Sequence, residues 1–162
     1  MPETHLILDS GSTQEVTRSR ATGIYGETLA AQALLADGYR IVSVNFKVPV
    51  GRNSKGVAVT GEIDIIALDG ETLCFIEVKT RRSEEFAAIS AAVDLKKQRQ
   101  ITRTSKVYRR LFKIENIACR FDVVTVLLAD RAEPVIEVLK DFWSESSFRK
   151  RSWNDNSWYD HY

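Results

Sequence analysis

Two β-rich runs flank an Asp69-Gly70 turn signal, and each is apolar on both of its faces. Residues 61–82 read GEIDIIALDGETLCFIEVKTRR. Ile63, Ile65 and Ala67 alternate with Asp64, Ile66 and Leu68, and residues 73–79 form the second run. A hairpin with two apolar faces reads as buried, and acidic residues inside it are out of place.

Turn length fixes what those acids meet. A four-residue loop, 69–72, sets Leu68 opposite Leu73, Ile66 opposite Phe75, Asp64 opposite Glu77 and Glu62 opposite Lys79, and opposed residues share a face. A two-residue Asp69-Gly70 loop shifts the pairing by two and leaves the faces unchanged. Glu77 and Lys79 share a side by strand period alone. The other face carries Ile63, Ile65, Ala67, Cys74, Ile76 and Val78, with no charge.

Two carboxylates side by side repel, and persist at neutral pH only if a cation neutralises them or one keeps its proton. Lys79 supplies one charge, and hard oxygen ligands suit Mg²⁺ or Mn²⁺. Such a set can hydrolyse phosphodiesters: a metal activates water and neutralises phosphate charge, while the ammonium stabilises the transition state or orients the water. The plainer alternative is a Glu62–Lys79 cross-strand ion pair with the other carboxylates reaching solvent.

GEIDIIALDG followed by FIEVKTR resembles the YraN-like family of predicted endonucleases. More broadly the pattern is similar to the restriction-endonuclease-like superfamily, with its Asp…(Asp/Glu)-x-Lys signature, which includes archaeal Holliday-junction resolvases. The resemblance spans roughly residues 23–128. It implies that Asp64 and Glu77 bind Mg²⁺ and that Lys79 assists catalysis. It implies a sandwich fold with a central mixed β-sheet flanked by helices. Resolvases of that superfamily act as dimers, so the resemblance extends to a homodimer.

Charge adds a partner. The net charge is only +1, but residues 79–113 hold eleven Lys/Arg against three acids, a local charge of +8. A stripe of one sign matters more than the global sum. Asp94 is the expected N-cap of a helix running to about Lys113. One face of it carries Gln98, Ile101, Ser105, Tyr108 and Phe112, the other Arg99, Arg103, Lys106, Arg110 and Lys113. Five like charges without an interleaved acid repel one another and gain from a polyanion. Arg81, Lys97, Arg99, Arg103, Lys106 and Arg110 are the expected nucleic-acid contacts, to DNA in preference to RNA. Nothing points to base readout, so recognition of strand form or branching is expected. KKQRQI resembles the family's Lys-Gln helix beside the active site. Gln98 is then either an orienting residue for water or the metal shell, or a satisfied, half-buried glutamine.

The remaining elements complete an α/β order. Residues 1–20 lack periodicity and read as a loose arm. Residues 23–37 read as a helix, stopped by Gly38. Its Glu27 has two readings: a first-turn acid favoured by the helix dipole, or, by the family's Gly-Glu at this place, a carboxylate aimed at the metal. Residues 40–48 read as a strand, with Asn45 matching an Asn of the family, and 49–55 as a turn. Residues 86–93 suggest a short helix. Residues 120–128 read as a central strand, with Asp122 either a polar contact at its end, the favoured reading, or an outer-shell residue of the site. Residues 134–139 read as an edge strand because of Pro134. The chain divides into an arm (1–20), a nuclease-like domain (21–140) and an aromatic, basic tail (141–162) that leans to packing. Cys74 and Cys119 suit buried thiols in a reducing cytoplasm. No apolar run approaches the ~18 residues of a membrane span. Two further readings stand beside the nuclease: a nucleic-acid-binding module without catalysis, and a protein-interaction domain using the Trp-rich tail.

Overall fold

The hairpin takes the centre of a five-stranded sheet. The computed structural model describes residues 10–53, 55–82, 93–129 and 132–148. In chain order the elements are α1 (Ser10–Ala36), β1 (Arg40–Arg52), β2 (Ala58–Asp69), β3 (Thr72–Arg81), α2 (Leu95–Leu111), β4 (Cys119–Leu127) and β5 (Val135–Trp143). A short 3-10 turn, Glu145–Phe148, follows. The sheet order is β1-β2-β3-β4-β5. All neighbours are antiparallel except β3 and β4, which run parallel. Parallel neighbours need a crossover, and α2 belongs to it.

The β2–β3 register is that of the four-residue loop: Leu68 pairs with Leu73 and Ile66 with Phe75. Each strand face then buries a different helix. On one face Ala30 and Leu34 of α1 pack on Ile65, Ala67, Cys74, Ile76, Val124 and Val126. On the other, Ile101 and Tyr108 of α2 pack on Ile63, Ile66, Phe75, Phe121 and Val123. Each fully buried Ile, Val or Phe here contributes about 1.5–3 kcal/mol over its exposed state. The result is an α/β layer arrangement, a mixed sheet flanked by two helices, consistent with the restriction-endonuclease-like sandwich.

Four expectations need correction. Ile63 packs beside Ile66 and not beside Ile65, because the alternation slips at Asp64. The ladder's last paired residues are Ile65 and Ile76, and the Asp64 carboxylate accepts the Val78 N–H in place of a backbone carbonyl. Residues 49–52 continue β1 instead of turning, and β2 starts at Ala58. Pro49 is tolerated because β1 is an edge strand with a register shift there. Helix α1 begins at Ser10, well before residue 23. Finally, β5 runs through Trp143, so the start of the tail belongs to the sheet. Trp143 is buried, stacks on Phe121 and donates its indole N–H to Thr102 Oγ1 at 3.0 Å. The helix expected at 86–93 lies outside the described residues apart from Val93, which is buried. Trp153, Trp158, Tyr159 and Tyr162 also lie outside them.

At the turn end of the hairpin, charges are matched and closed. Asp122 is fully buried and accepts from Arg120 Nε at 2.8 Å and from the Asp141 N–H at 2.9 Å. Arg120 also reaches Asp69 and the Tyr39 hydroxyl, and Lys140 reaches Asp69. Hydrogen bonds from Arg120 and then Lys140 hold the Asp69 carboxyl below its ordinary value. Asp122 is therefore the structural strand contact expected of it. Neighbouring Cys74 is a free thiol pushed up to about 12, chiefly by burial, which leaves it inert at neutral pH.

Candidate active site

The other end of the hairpin collects two buried carboxylates and two lysines. Asp64 and Glu77 are 9% and 2% exposed. Glu77 Oε1 meets Lys79 Nζ at 2.9 Å. Oε2 lies 3.2 Å from Lys97 Nζ but receives no hydrogen bond. The Lys97 contact is thus an ion pair by distance without hydrogen-bond geometry, and Oε2 remains a buried acceptor with no donor. Asp64 accepts the Val78 N–H through Oδ2 at 2.8 Å. Its carboxyl is pushed up to about 7, first by burial and then by the Glu77 charge, with the Val78 bond and Lys97 opposing and Glu27 adding to the rise. A buried carboxyl that holds its proton near neutrality beside a second buried carboxylate is the kind of perturbed pair that functional sites collect.

Two glycines bring the helices close enough to build this site. A Cβ on Gly26 would fall 1.8 Å from Thr80 Oγ1, so only glycine lets α1 approach the end of β3. That approach carries Glu27 into electrostatic range of Asp64. A Cβ on Gly61 would fall 2.0 Å from Thr104 Oγ1, so α2 presses on β2 just before Asp64. Glu27 also lines a cleft of about 380 Å³ with Arg20, Asn45, Lys47 and Glu62. Glu62 pairs there with Lys47 at 3.0 Å, so the cross-strand Glu62–Lys79 pair is not formed.

The donor set fits a hard divalent cation: Asp64 and Glu77 offer oxygens, one of them a buried acceptor without a donor. Among the described residues no three acidic, Cys or His side chains converge as a metal-holding group. Asp64 and Glu77 would be the residues to hold the cation, and Glu27 acts on Asp64 through its charge.

This segment matches a known family. Residues 26–126 match the family described as Uncharacterised protein family UPF0102. The chain belongs to UPF0102. A UPF0102 protein of Koribacter versatilis is 44% identical over 119 residues, 74% of this chain and 76% of its own length. One from Geotalea daltonii is 38% identical over 123 residues, 76% and 89% of the two chains. One from Chlorobaculum tepidum is 46% identical over 105 residues, 65% and 74% of the two. Among solved structures, that of SSO0001 covers 83% of this chain at 16% identity and a TM-score of 0.39, and the chain spans 58% of that protein's length. The UPF0102 match contains Glu27, Asp64, Glu77, Lys79 and the first part of β4 through Val126.

The cations expected to hold nucleic acid divide into engaged and open ones. Lys97, expected at phosphate, sits on Glu77. Lys106 is held by Glu145 at 3.2 Å, and neighbouring Arg109 by the same carboxylate at 2.7 Å. Glu145 is thus the interleaved acid that the α2 stripe lacked in sequence. Arg99 lies over the Phe148 ring at 5.7 Å. Arg103 and Arg110 are exposed. Arg81 flanks a cleft with Lys79, Thr80 and Arg18 of α1. Lys96, Arg99, Gln100 and Arg103 line an open groove of about 440 Å³ with Val50 and Val59, between α2 and the long β1–β2 hairpin. Gln98 donates its amide to the Val93 carbonyl at 2.9 Å. Sequence reading missed the parts played by Lys97, Glu145 and the Gly26–Thr80 contact. Of these only Gly26, beside Glu27, left a local signal. Among the described residues no helix is long and apolar enough to cross a membrane.

Proposed function

We propose that this UPF0102 chain is a metal-dependent endonuclease that hydrolyses phosphodiester bonds in DNA, selecting structure over sequence. One observation carries the proposal: Asp64 and Glu77, both buried, crowd each other beside Lys79 where the β2–β3 pairing stops, and Glu77 Oε2 lacks a hydrogen bond there. Asp64 and Glu77 would hold Mg²⁺ or Mn²⁺, which when bound supplies charge neutralisation of the phosphate and activation of water. The Val78 N–H holds the Asp64 carboxylate in place through Oδ2. Lys79, a third exposed, is anchored on Glu77 and presents its ammonium to charge developing on the phosphate. Lys96, Arg99 and Arg103 form a cationic wall suited to backbone phosphates, with no base reader required.

A second reading has its own support. Lysines cover both oxygens of Glu77, and no three-carboxylate cluster forms among the described residues. A binding module without catalysis would look the same. Incubating the protein with duplex, flapped and four-way DNA in Mg²⁺ or Mn²⁺ separates them. The nuclease cleaves a branched substrate, and Glu77→Gln and Lys79→Ala abolish cleavage with folding intact. Salt-sensitive binding without cleavage in either metal favours the module.

A further inference from the structure

Glu77 faces two lysines held in different ways. Lys79 stands two residues along the same strand, at 2.9 Å from Oε1. Lys97 comes from the first turn of α2, where Asp94 caps its backbone N–H at 2.7 Å. Its backbone is capped, while its side chain, 28% exposed, holds Nζ 3.2 Å from Oε2 without hydrogen-bond geometry. An ammonium on a flexible four-carbon stem, partly open to water and short of a hydrogen bond, is a counter-ion that can leave.

We propose that Lys97 is a displaceable counter-ion, holding the place of a cation on Glu77 Oε2 and handed to a backbone phosphate when a divalent ion binds. This rests on the metal-dependent reading above and adds a coupling to it. A divalent ion on Oε2 would stand within a few ångströms of the Lys97 ammonium, and that like-charge repulsion is relieved when Lys97 swings away. Its neighbour Lys96, and Arg99 two residues on, line the groove assigned to phosphates. In free protein the released ammonium goes to water, and the loss of the Glu77 contact weakens metal binding. With a polyanion in the groove the ammonium gains a new partner. Metal and nucleic acid then favour each other's binding by the same factor. Lys97 acts as a positioning residue, through Glu77.

Mn²⁺ binding followed by electron paramagnetic resonance, which counts free Mn²⁺, tests this without turnover. Lys97→Gln is expected to bind Mn²⁺ roughly tenfold more tightly than the parent protein, about 1.4 kcal/mol, while Lys97→Arg stays near the parent. A hydrolysis-resistant phosphorothioate duplex is expected to tighten Mn²⁺ binding by the parent and to have little effect on Lys97→Gln. A merely structural Lys97 would not tighten metal binding when removed. If the parent binds Mn²⁺ at a site lost in Glu77→Gln, yet Lys97→Gln binds no tighter, the counter-ion role is overturned and the metal site stands. If neither protein binds Mn²⁺, or Glu77→Gln binds as well as the parent, the metal reading falls and takes this inference with it.

Discussion

Asp64→Asn, studied in metal-free buffer, tests the burial and crowding of the two carboxylates quantitatively. The Asp64 carboxyl sits at about 7 against an ordinary 3.8, chiefly from burial and the Glu77 charge. A carboxyl raised on folding is protonated in the native state over a range where the unfolded chain has lost that proton. Folding then takes up a proton, so stability falls as pH climbs from about 4 to about 7 and is level above. The gap of about three pH units is worth roughly 4 kcal/mol as an upper limit at pH 8. Asparagine is nearly isosteric, keeps an oxygen for the Val78 N–H and carries no charge to repel Glu77. The variant is therefore expected to match the parent at pH 4 and to exceed it by up to about 4 kcal/mol at pH 8. Urea denaturation with chelator present, repeated from pH 4 to pH 8, reads this out. Taking the difference between the two proteins cancels the titrating groups that do not interact with Asp64. A difference that stays constant across the series, or a variant weaker than the parent at pH 8, would refute the reasoning. Such a gain in stability at the expense of the site is the usual exchange at functional positions.

Three other outcomes are expected. Gly26→Ala drives a Cβ into Thr80 Oγ1 and should cost about 1–3 kcal/mol by denaturant unfolding. Arg120→Ala leaves the fully buried Asp122 without its guanidinium and should cost about 3–5 kcal/mol, read as a lowered thermal midpoint. Glu145→Gln frees Lys106 and Arg109, so DNA binding by fluorescence anisotropy should tighten several-fold, and its salt slope should steepen by about one per cation engaged.

What the sequence disclosed follows from the range of the interactions involved. The hairpin register was legible because turn length and period two determine it, and Leu68 duly pairs with Leu73. Helix α2 was legible from its cap and its faces. The start of α1 was not, because residues 10–22 show no apolar stripe. Pro49 and Gly51 read as breakers, but an edge strand with a register shift absorbs both. Ile63 was misassigned because a side chain, Asp64, takes the place of a ladder carbonyl, and period-two counting has no term for that. The candidate site was legible in its strand residues, Asp64, Glu77 and Lys79, which lie on one hairpin. Lys97 on Glu77 and Glu145 on Lys106 join residues from separate elements, and only the packed chain brings them together.

The central claim is that Asp64 and Glu77 share a divalent cation. Mn²⁺-soaked crystals measured for anomalous scattering test it most directly. One peak is expected within about 2–2.5 Å of a carboxylate oxygen from each residue, with Lys97 withdrawn from Glu77. No peak between those carboxylates at saturating Mn²⁺, with both lysines still seated on Glu77, would contradict it.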